Sequence, residues 1–280
     1  MEYVFPAAVL CLLILLAIST ILTSDSSPPE APLRYTKIPR VVWQTWKTKD
    51  EHLIPECLLA ARRDAMRLNP HWAFELHDDD DCDRFMRSFS ADTQRAYFSL
   101  RPGAARADIW RYARLFTSGG FYVDIDASIN VSLDDMVQPE DELLYSLEPN
   151  KWSLFFTDLP CHPEIKKIPS PSPGWGDDDI ALQWAFASSP RNPAIGKALE
   201  MCTRAVIACI NHDFRGTDNH RSVISLTGPL LFTEALRQTP CPGTRRIGCE
   251  FNGALSEKIP GEEVKEDDSD RYTKHPSPYV

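Results

Sequence analysis

The chain has 280 residues, 43% of them hydrophobic, and a formal net charge of -10 from 30 basic and 40 acidic side chains. That is material for one sizeable core, and an acidic balance with no basic stretch excludes a protein that tracks nucleic-acid backbones. The histidines show no HExxH or paired spacing, which argues against a zinc hydrolase.

Val4 to Leu22 is an uncharged, mostly Leu/Ile/Ala/Val segment whose 19 residues, if helical, just cover the bilayer's hydrocarbon core of roughly 30 Å. It reads either as a signal-anchor or as a cleavable signal with Ala17 and Ser19 before the cut. Its length favours the anchor, leaving residues 1–3 as a short cytoplasmic tail. Both readings send the rest of the chain into the secretory pathway. Residues 23–37 (TSDSSPPEAPLRYTK) have the Pro/Ser-rich composition of a stem.

Beyond the stem, strand and helix patterns alternate. Ile38–Trp46 reads as a first strand with Val41 and Val42 buried, and Pro55–Leu68 as a helix that stops before Asn69-Pro70. Trp72–Leu76 alternates as a short strand. The acids Asp78–Asp81 then suit a helix start, where carboxylates cap free N–H groups and meet the dipole, better than a metal site. Phe85, Met86 and Phe89 continue that helix.

Ala104–Ser118 is the strongest helix, with Ile109, Tyr112, Ala113 and Phe116 as its apolar stripe. Gly119-Gly120 ends it, and Phe121–Asp126 reads as a buried strand. Leu143–Leu147 and Ser153–Thr157 look like short strands, and Pro160–Gly176 like a long loop. Asp177–Ser188 and Asn192–Ile210 read as helices, as does the stretch from Thr227-Gly228-Pro229 to about Leu236. Residues 38–255 then form one α/β domain with a largely parallel central sheet, and 256–280 a polar, loosely held tail.

Two acids stand out. Asp124 and Asp126 are two apart, so on a strand they share a face at its carboxyl end, where open α/β sheets bind ligands. Two carboxylates delivered together call for a cation, and a divalent metal that neutralises a phosphorylated substrate is the economical one. Asp108 and Arg111, three apart on the preceding helix, also share a face. Taken alone they read as a surface ion pair of little energetic weight, but their helix runs straight into the two-acid strand. Departure of a nucleoside diphosphate builds negative charge that such a cation stabilises, and a further acid and arginine orient the sugar.

Asn130-Val131-Ser132 is a glycosylation sequon. Cys57, Cys82, Cys161, Cys202, Cys209, Cys241 and Cys249 lie beyond the membrane segment, where disulfides form. Their number is odd, so at least one is free. Cys241 and Cys249 could close a short loop, whereas Cys202 and Cys209, two helical turns apart, cannot bridge each other.

The segments Ile38-Pro39-Arg40-Val41-Val42-Trp43-Gln44-Thr45-Trp46, Arg106-Ala107-Asp108 with Arg111-Tyr112, Gly119-Gly120-x-Tyr122-x-Asp124-x-Asp126, Ala187–Pro193 and Thr227-Gly228-Pro229 together resemble glycosyltransferase family 32. This DxD sugar-binding family includes initiating α-1,6-mannosyltransferases and inositol-phosphorylceramide mannosyltransferases. The resemblance implies a GT-A type fold, a retaining Mn²⁺-dependent hexosyltransferase (with Mg²⁺ as the alternative ion) and a type II, single-pass Golgi or ER membrane protein with a lumenal domain. It implies mannose from GDP-mannose as donor and a glycan or glycolipid as acceptor. The rivals are a UDP-galactose or UDP-GlcNAc enzyme and a silent sugar- or metal-binding subunit that partners an active transferase.

Residue by residue, the resemblance assigns Asp124 and Asp126 to metal and diphosphate, and Asp108 and Arg111 to the donor sugar. It places Trp43, Gln44 and Thr45 by the nucleotide, Arg106, Gly120 and Tyr122 around the donor, and Asp179 or Gln183 toward the reacting sugar. The family's late His followed by Ser-Trp is here reduced to His275, a candidate third metal ligand, with no tryptophan after it.

Overall fold

The computed structural model describes residues 35–101, 103–148, 179–211 and 219–256. The membrane segment, most of the stem, the 153–157 strand, the 160–176 loop, His275 and the tail beyond Ser256 lie outside the described residues. Among the described residues no helix is long and apolar enough to cross a membrane.

Alternating burial makes Val41–Thr45 the first strand, β1, with Val42 and Gln44 turned inward. Helix α1 (Glu56–Leu68) ends at Asn69, one residue before the proline, and β2 (Ala73–His77) pairs with β1 in parallel. The acid run behaves as its chemistry dictates. Asp78 caps α2 (Asp79–Met86), its carboxylate accepting from Asp81 N at 2.8 Å while the Asp81 carboxylate accepts from Asp78 N at 3.4 Å. Ser90 then caps a helix the sequence pattern did not reveal, α3 (Ala91–Ser99).

The strong helix, α4, spans Gly103–Ser118. It stops because Gly119 takes φ +65, in which its N–H donates to the Leu115 carbonyl at 2.8 Å. Strand β3 follows as Gly120–Val123, every residue buried, and ends one residue before Asp124. The two acids therefore stand on the turn beyond the strand, closed by Ala127 N donating to the Asp124 carbonyl at 3.1 Å, and not on the strand itself.

After β4 (Ser128–Ile129), the short helix α5 (Leu133–Met136) and β5 (Leu143–Glu148), the described part of the expected 177–188 helix holds two short strands instead. Ile180–Ala181 is β6 and Ala185–Ser188 is β7, and every residue of both is buried. A short alanine-rich run that is apolar on all sides has no period to separate helix from central strand. Helices α6 (Pro193–Asn211), α7 (Asn219–Leu226) and α8 (Pro229–Gln238) follow, with Pro229 at the first turn of α8, then β8 (Thr244–Cys249) and β9 (Leu255–Ser256).

The sheet runs β2-β1-β3-β7-β5-β6, with β8 also on β5; β4 and β9 form a separate ladder. Strands β2, β1, β3, β5 and β8 run one way while β7 and β6 oppose them, so the sheet is mostly parallel in direction but mixed in pairing. Successive β3 residues feed opposite cores: Tyr122 joins Trp110, Tyr112, Phe186 and Phe232 on one face, and Phe121 and Val123 join Val42, Leu144 and Phe251 on the other. Phe186 and Phe232 stack with ring centroids 4.6 Å apart. Cys82, Cys202 and Cys241 are free thiols, so the Cys241–Cys249 loop is not closed, while Cys209 is disulfide-bonded.

Gly120 is a tight joint between β3 and β1. At φ +108, a Cβ here would lie 2.6 Å from Val41 Cγ1 and 2.7 Å from Trp43 Nε1. Gly120→Ala is expected to cost at least about 2 kcal/mol, from left-handed strain plus overpacking, measurable by urea unfolding; a loss below 0.5 kcal/mol, roughly what a neutral surface change costs, would contradict this packing.

Candidate active site

The carboxyl ends of β1, β2 and β3 open into a cavity of about 480 Å³ whose lining includes Thr45, Trp46 and Lys47, Asp79 and Cys82, and Tyr122, Asp124, Ile125 and Asp126. Helix α4 and the residues before it add Arg101, Arg106, Ala107, Trp110 and Arg111, and α3 adds Tyr97. This is the place and size expected of a ligand pocket in an open α/β sheet. Its charge is divided: Asp124 and Asp126 belong to the β3 turn and Asp79 to the start of α2, whereas Lys47 follows β1, Arg101 precedes α4 and Arg106 lies in the first turn of α4.

Arg111 is the centre of the acidic part. It is 5% exposed and cannot shed its charge. Its Nη2 lies 3.3 Å from Asp108 Oδ1 and 3.3 Å from Asp124 Oδ1, and its Nη1 donates to the Gln183 carbonyl at 2.9 Å. The guanidinium also stacks over the Tyr122 ring, 4.3 Å from its centroid. Burial opposes its charge, but Asp124, Tyr122 and Asp108 outweigh burial and hold its pKa above the ordinary arginine value. The pair Asp108–Arg111 is thus no surface ion pair.

Asp124 Oδ1 receives a second donor, the Tyr122 hydroxyl, at 2.5 Å. The Asp124 side chain keeps 32% of its exposure and faces the cavity. Asp108 differs, being 5% exposed and not among the cavity-lining residues. Its Oδ2 accepts from Thr227 Oγ1 at 2.8 Å. Burial pushes the Asp108 carboxyl up to about 6, against the opposing pull of Arg111 and the Thr227 hydrogen bond. Gln183 is buried beside it, its Nε2 donating to the Tyr112 hydroxyl at 2.6 Å and the Thr227 carbonyl at 3.0 Å.

Other residues singled out from the sequence take varied places. Thr45, Arg106 and Tyr122 line the cavity; Trp43 and Gln44 do not. The Trp43 indole donates to the Gly119 carbonyl at 2.7 Å and packs between His77 and Arg114, so it braces the Gly-Gly turn. Gln44 faces the opposite side of β1 and accepts from Arg62 of α1. Arg106 is bonded to Asp83 and lies over the Tyr97 ring, 4.8 Å from its centroid. Gly120 abuts β1 behind the site. Asp179 is outside the cavity, 3.3 Å from Arg246. Asn130 is exposed next to β4, its side chain bonded only to Ser128 among the described residues. Trp46, Lys47, Tyr97, Arg101 and Trp110 line the cavity without having been assigned roles; for Trp46 and Lys47 the signal was their place at the end of β1.

Residues 55–144, which carry α4, β3 and both acids, match the family model described as a glycosyltransferase sugar-binding region containing a DXD motif. The chain resembles the DXD glycosyltransferases. Asp124-Ile125-Asp126 is a D-x-D sequence within the matched segment. Inositol phosphoceramide mannosyltransferase 3 of Schizosaccharomyces pombe is 32% identical over 100 residues, covering 36% of this chain and 27% of that protein. The initiation-specific alpha-1,6-mannosyltransferase of Candida albicans is 24% identical over 212 residues, covering 71% and 52%. The chain thus spans between about a quarter and a half of these relatives. The PaToxG glycosyltransferase structure aligns with a TM-score of 0.46 and 18% identity over 80% of this chain and 76% of its own, too loose a likeness to bear on the fold.

A carboxyl raised in the folded state favours folding below its unfolded pKa, and that contribution is lost as pH rises through the folded value. With Asp108 pushed up to about 6, the stability of the cation-free protein should fall between about pH 4 and pH 6 relative to Asp108→Asn. Paired denaturant titrations across that range check it; parallel pH profiles would remove the burial penalty assigned to Asp108.

Proposed function

We propose that the protein is a hexosyltransferase that moves mannose from GDP-mannose to a glycan or glycolipid acceptor, with retention. The observation that carries this reading is the placement of Asp124 and Asp126 in one cavity, backed by buried Arg111, inside the segment that matches a DXD sugar-binding region. The mannosyltransferase names of the relatives support the choice of sugar. The GT-A type belongs to the same proposal.

The donor set suits a hard divalent cation such as Mn²⁺ or Mg²⁺. Both acids offer carboxylate oxygens, and the protein donors to Asp124 named above fall on Oδ1 of a side chain that lines the cavity. Two protein carboxylates leave most of the coordination sphere to phosphate oxygens and water. Bound there, the cation would supply positive charge against the departing diphosphate.

The chain's own groups do the rest. Arg111 and Tyr122 fix the Asp124 carboxylate so that it need not reorganise. Lys47, Arg101 and Arg106 set a positive field in the same cavity, which favours an anionic donor. The aromatic walls Trp46, Tyr97 and Trp110 exclude water from the faces of a sugar or base. The acceptor hydroxyl attacks from the face the diphosphate leaves, and a phosphate oxygen takes its proton.

Purified protein given Mn²⁺ and a panel of nucleotide sugars should slowly release free sugar from GDP-mannose. Asp124→Asn and Asp126→Asn should each lower turnover by at least about a hundredfold, as expected for loss of a charge-stabilising group. Release from a UDP-sugar instead would reassign the donor. No release from any donor, with binding retained, would favour the silent-subunit reading.

The same proposal puts the domain in the Golgi or ER lumen, with the N-terminal segment as anchor. Exposed Asn130 and the disulfide at Cys209 support this setting. Protein made in a secretory cell should therefore carry a glycan that PNGase F removes and Asn130→Gln eliminates. An unglycosylated wild type with a reduced Cys209 would place the domain in the cytosol.

A further inference from the structure

Asp108 lies behind Arg111, away from the cavity, and each of its carboxylate oxygens has a protein partner, Arg111 Nη2 at 3.3 Å on Oδ1 and Thr227 Oγ1 at 2.8 Å on Oδ2. A group in that position acts through its neighbour. The neighbour is Arg111, whose same Nη2 reaches Asp124 Oδ1 at 3.3 Å. From the α7–α8 junction to the β3 turn there is thus one unbroken chain of polar contacts: Thr227 to Asp108, Asp108 to Arg111, Arg111 to Asp124.

The far end of that chain is rigid. Thr227 is fully buried, its N–H donates to the Val223 carbonyl at 3.0 Å, and its own carbonyl accepts from Tyr112 Oη and Gln183 Nε2, each at 3.0 Å. Gly228 permits no slack, since a Cβ there would lie 2.7 Å from Ile224 Cα. The Thr227 hydroxyl has one proton and two acceptors in reach. The Asp108 carboxylate at 2.8 Å is both nearer and charged, compared with the Val223 carbonyl at 3.2 Å, so it takes the proton. Gln183 closes a second loop, its carbonyl accepting from Arg111 Nη1 at 2.9 Å.

We propose that Thr227 is a positioning residue for the cation site: through Asp108 and Arg111 it holds Asp124 with Oδ1 engaged by the protein and Oδ2 presented to a divalent ion. This gives Asp108 a supporting role toward Arg111. The inference rests on the cation reading given above. Groups that orient metal ligands from behind carry measurable affinity although they never touch the ion.

The test is direct Mn²⁺ binding to the full chain in detergent, followed by the electron paramagnetic resonance signal of free Mn²⁺, with no donor or acceptor present. Thr227→Val removes the hydroxyl and keeps the shape, and should weaken Mn²⁺ binding about tenfold, at the low end of such outer-shell effects. Thr227→Ser restores the hydroxyl and should stay within about twofold of wild type. Asp108→Asn should weaken binding to a similar extent as Thr227→Val, and it tests the same chain of contacts should the valine variant not fold. Wild-type affinity in Thr227→Val or Asp108→Asn, or an equal loss in the serine and valine variants, would overturn the proposal. If the wild type binds Mn²⁺ no better than Asp124→Asn, the cation reading itself falls, a result distinguishable from every outcome above.

Discussion

A guanidinium that cannot lose its proton is buried between its own helix, the β3 turn and the β6–β7 connection, and the rest of the structure is arranged around that fact. Taking an ion of this size out of water costs several kcal/mol unless its donors are matched. Arg111 is matched by two carboxylates, the Gln183 carbonyl and the face of Tyr122, which come from the β3 strand and turn, the β6–β7 connection and its own helix. Each partner must arrive in register for the charge to be tolerated. Removal of any one leaves a buried charge short of a partner, the costly side of a buried ion pair.

The cavity inherits its geometry from this arrangement. Because β1, β2 and β3 run parallel, their carboxyl ends deliver Trp46, Asp79 and Asp124 to one place, while antiparallel β7 on the other side of β3 brings Gln183 beneath Arg111. A wholly parallel sheet would have carried the β6–β7 connection to the opposite end of that strand. The reversal at β7 is thus what completes the ring around the guanidinium.

Where a local rule governs, the sequence was informative. Helix α4, the glycine stop after it, the Asp78 cap and the proline-led start of α8 follow from short-range chemistry, and all appear as expected. So does the joint delivery of Asp124 and Asp126 to one cavity, although by a turn and not a strand face. What failed was set by tertiary context. Ala185–Ser188 has helix-like composition and becomes a central strand because both of its faces are covered. Strand alternation alone turns Gln44 from the cavity side occupied by Thr45, and the indole of Trp43 satisfies the Gly119 carbonyl. The placement of Asp108 was hidden for a similar reason: a three-residue spacing puts it on one face with Arg111 but cannot say which of the two meets the cavity. That depended on Thr227, 119 positions away.

That separation bears on what counts as a unit of this fold. The segment recognised as a sugar-binding region ends at residue 144. Yet the strand that flanks β3 on its second side, the carbonyl that meets Arg111 Nη1 and the hydroxyl that meets Asp108 all come after it. Cut at that boundary, the chain would keep its two acids and lose the partners that make a buried cation tolerable, leaving β3 with an open edge of the kind that pairs with other chains. The motif is therefore portable as a pattern of letters but not as a folded module. A graft of this chemistry onto another scaffold would need to carry the β6–β7 connection and the α7–α8 junction along with the helix and strand that bear the signature.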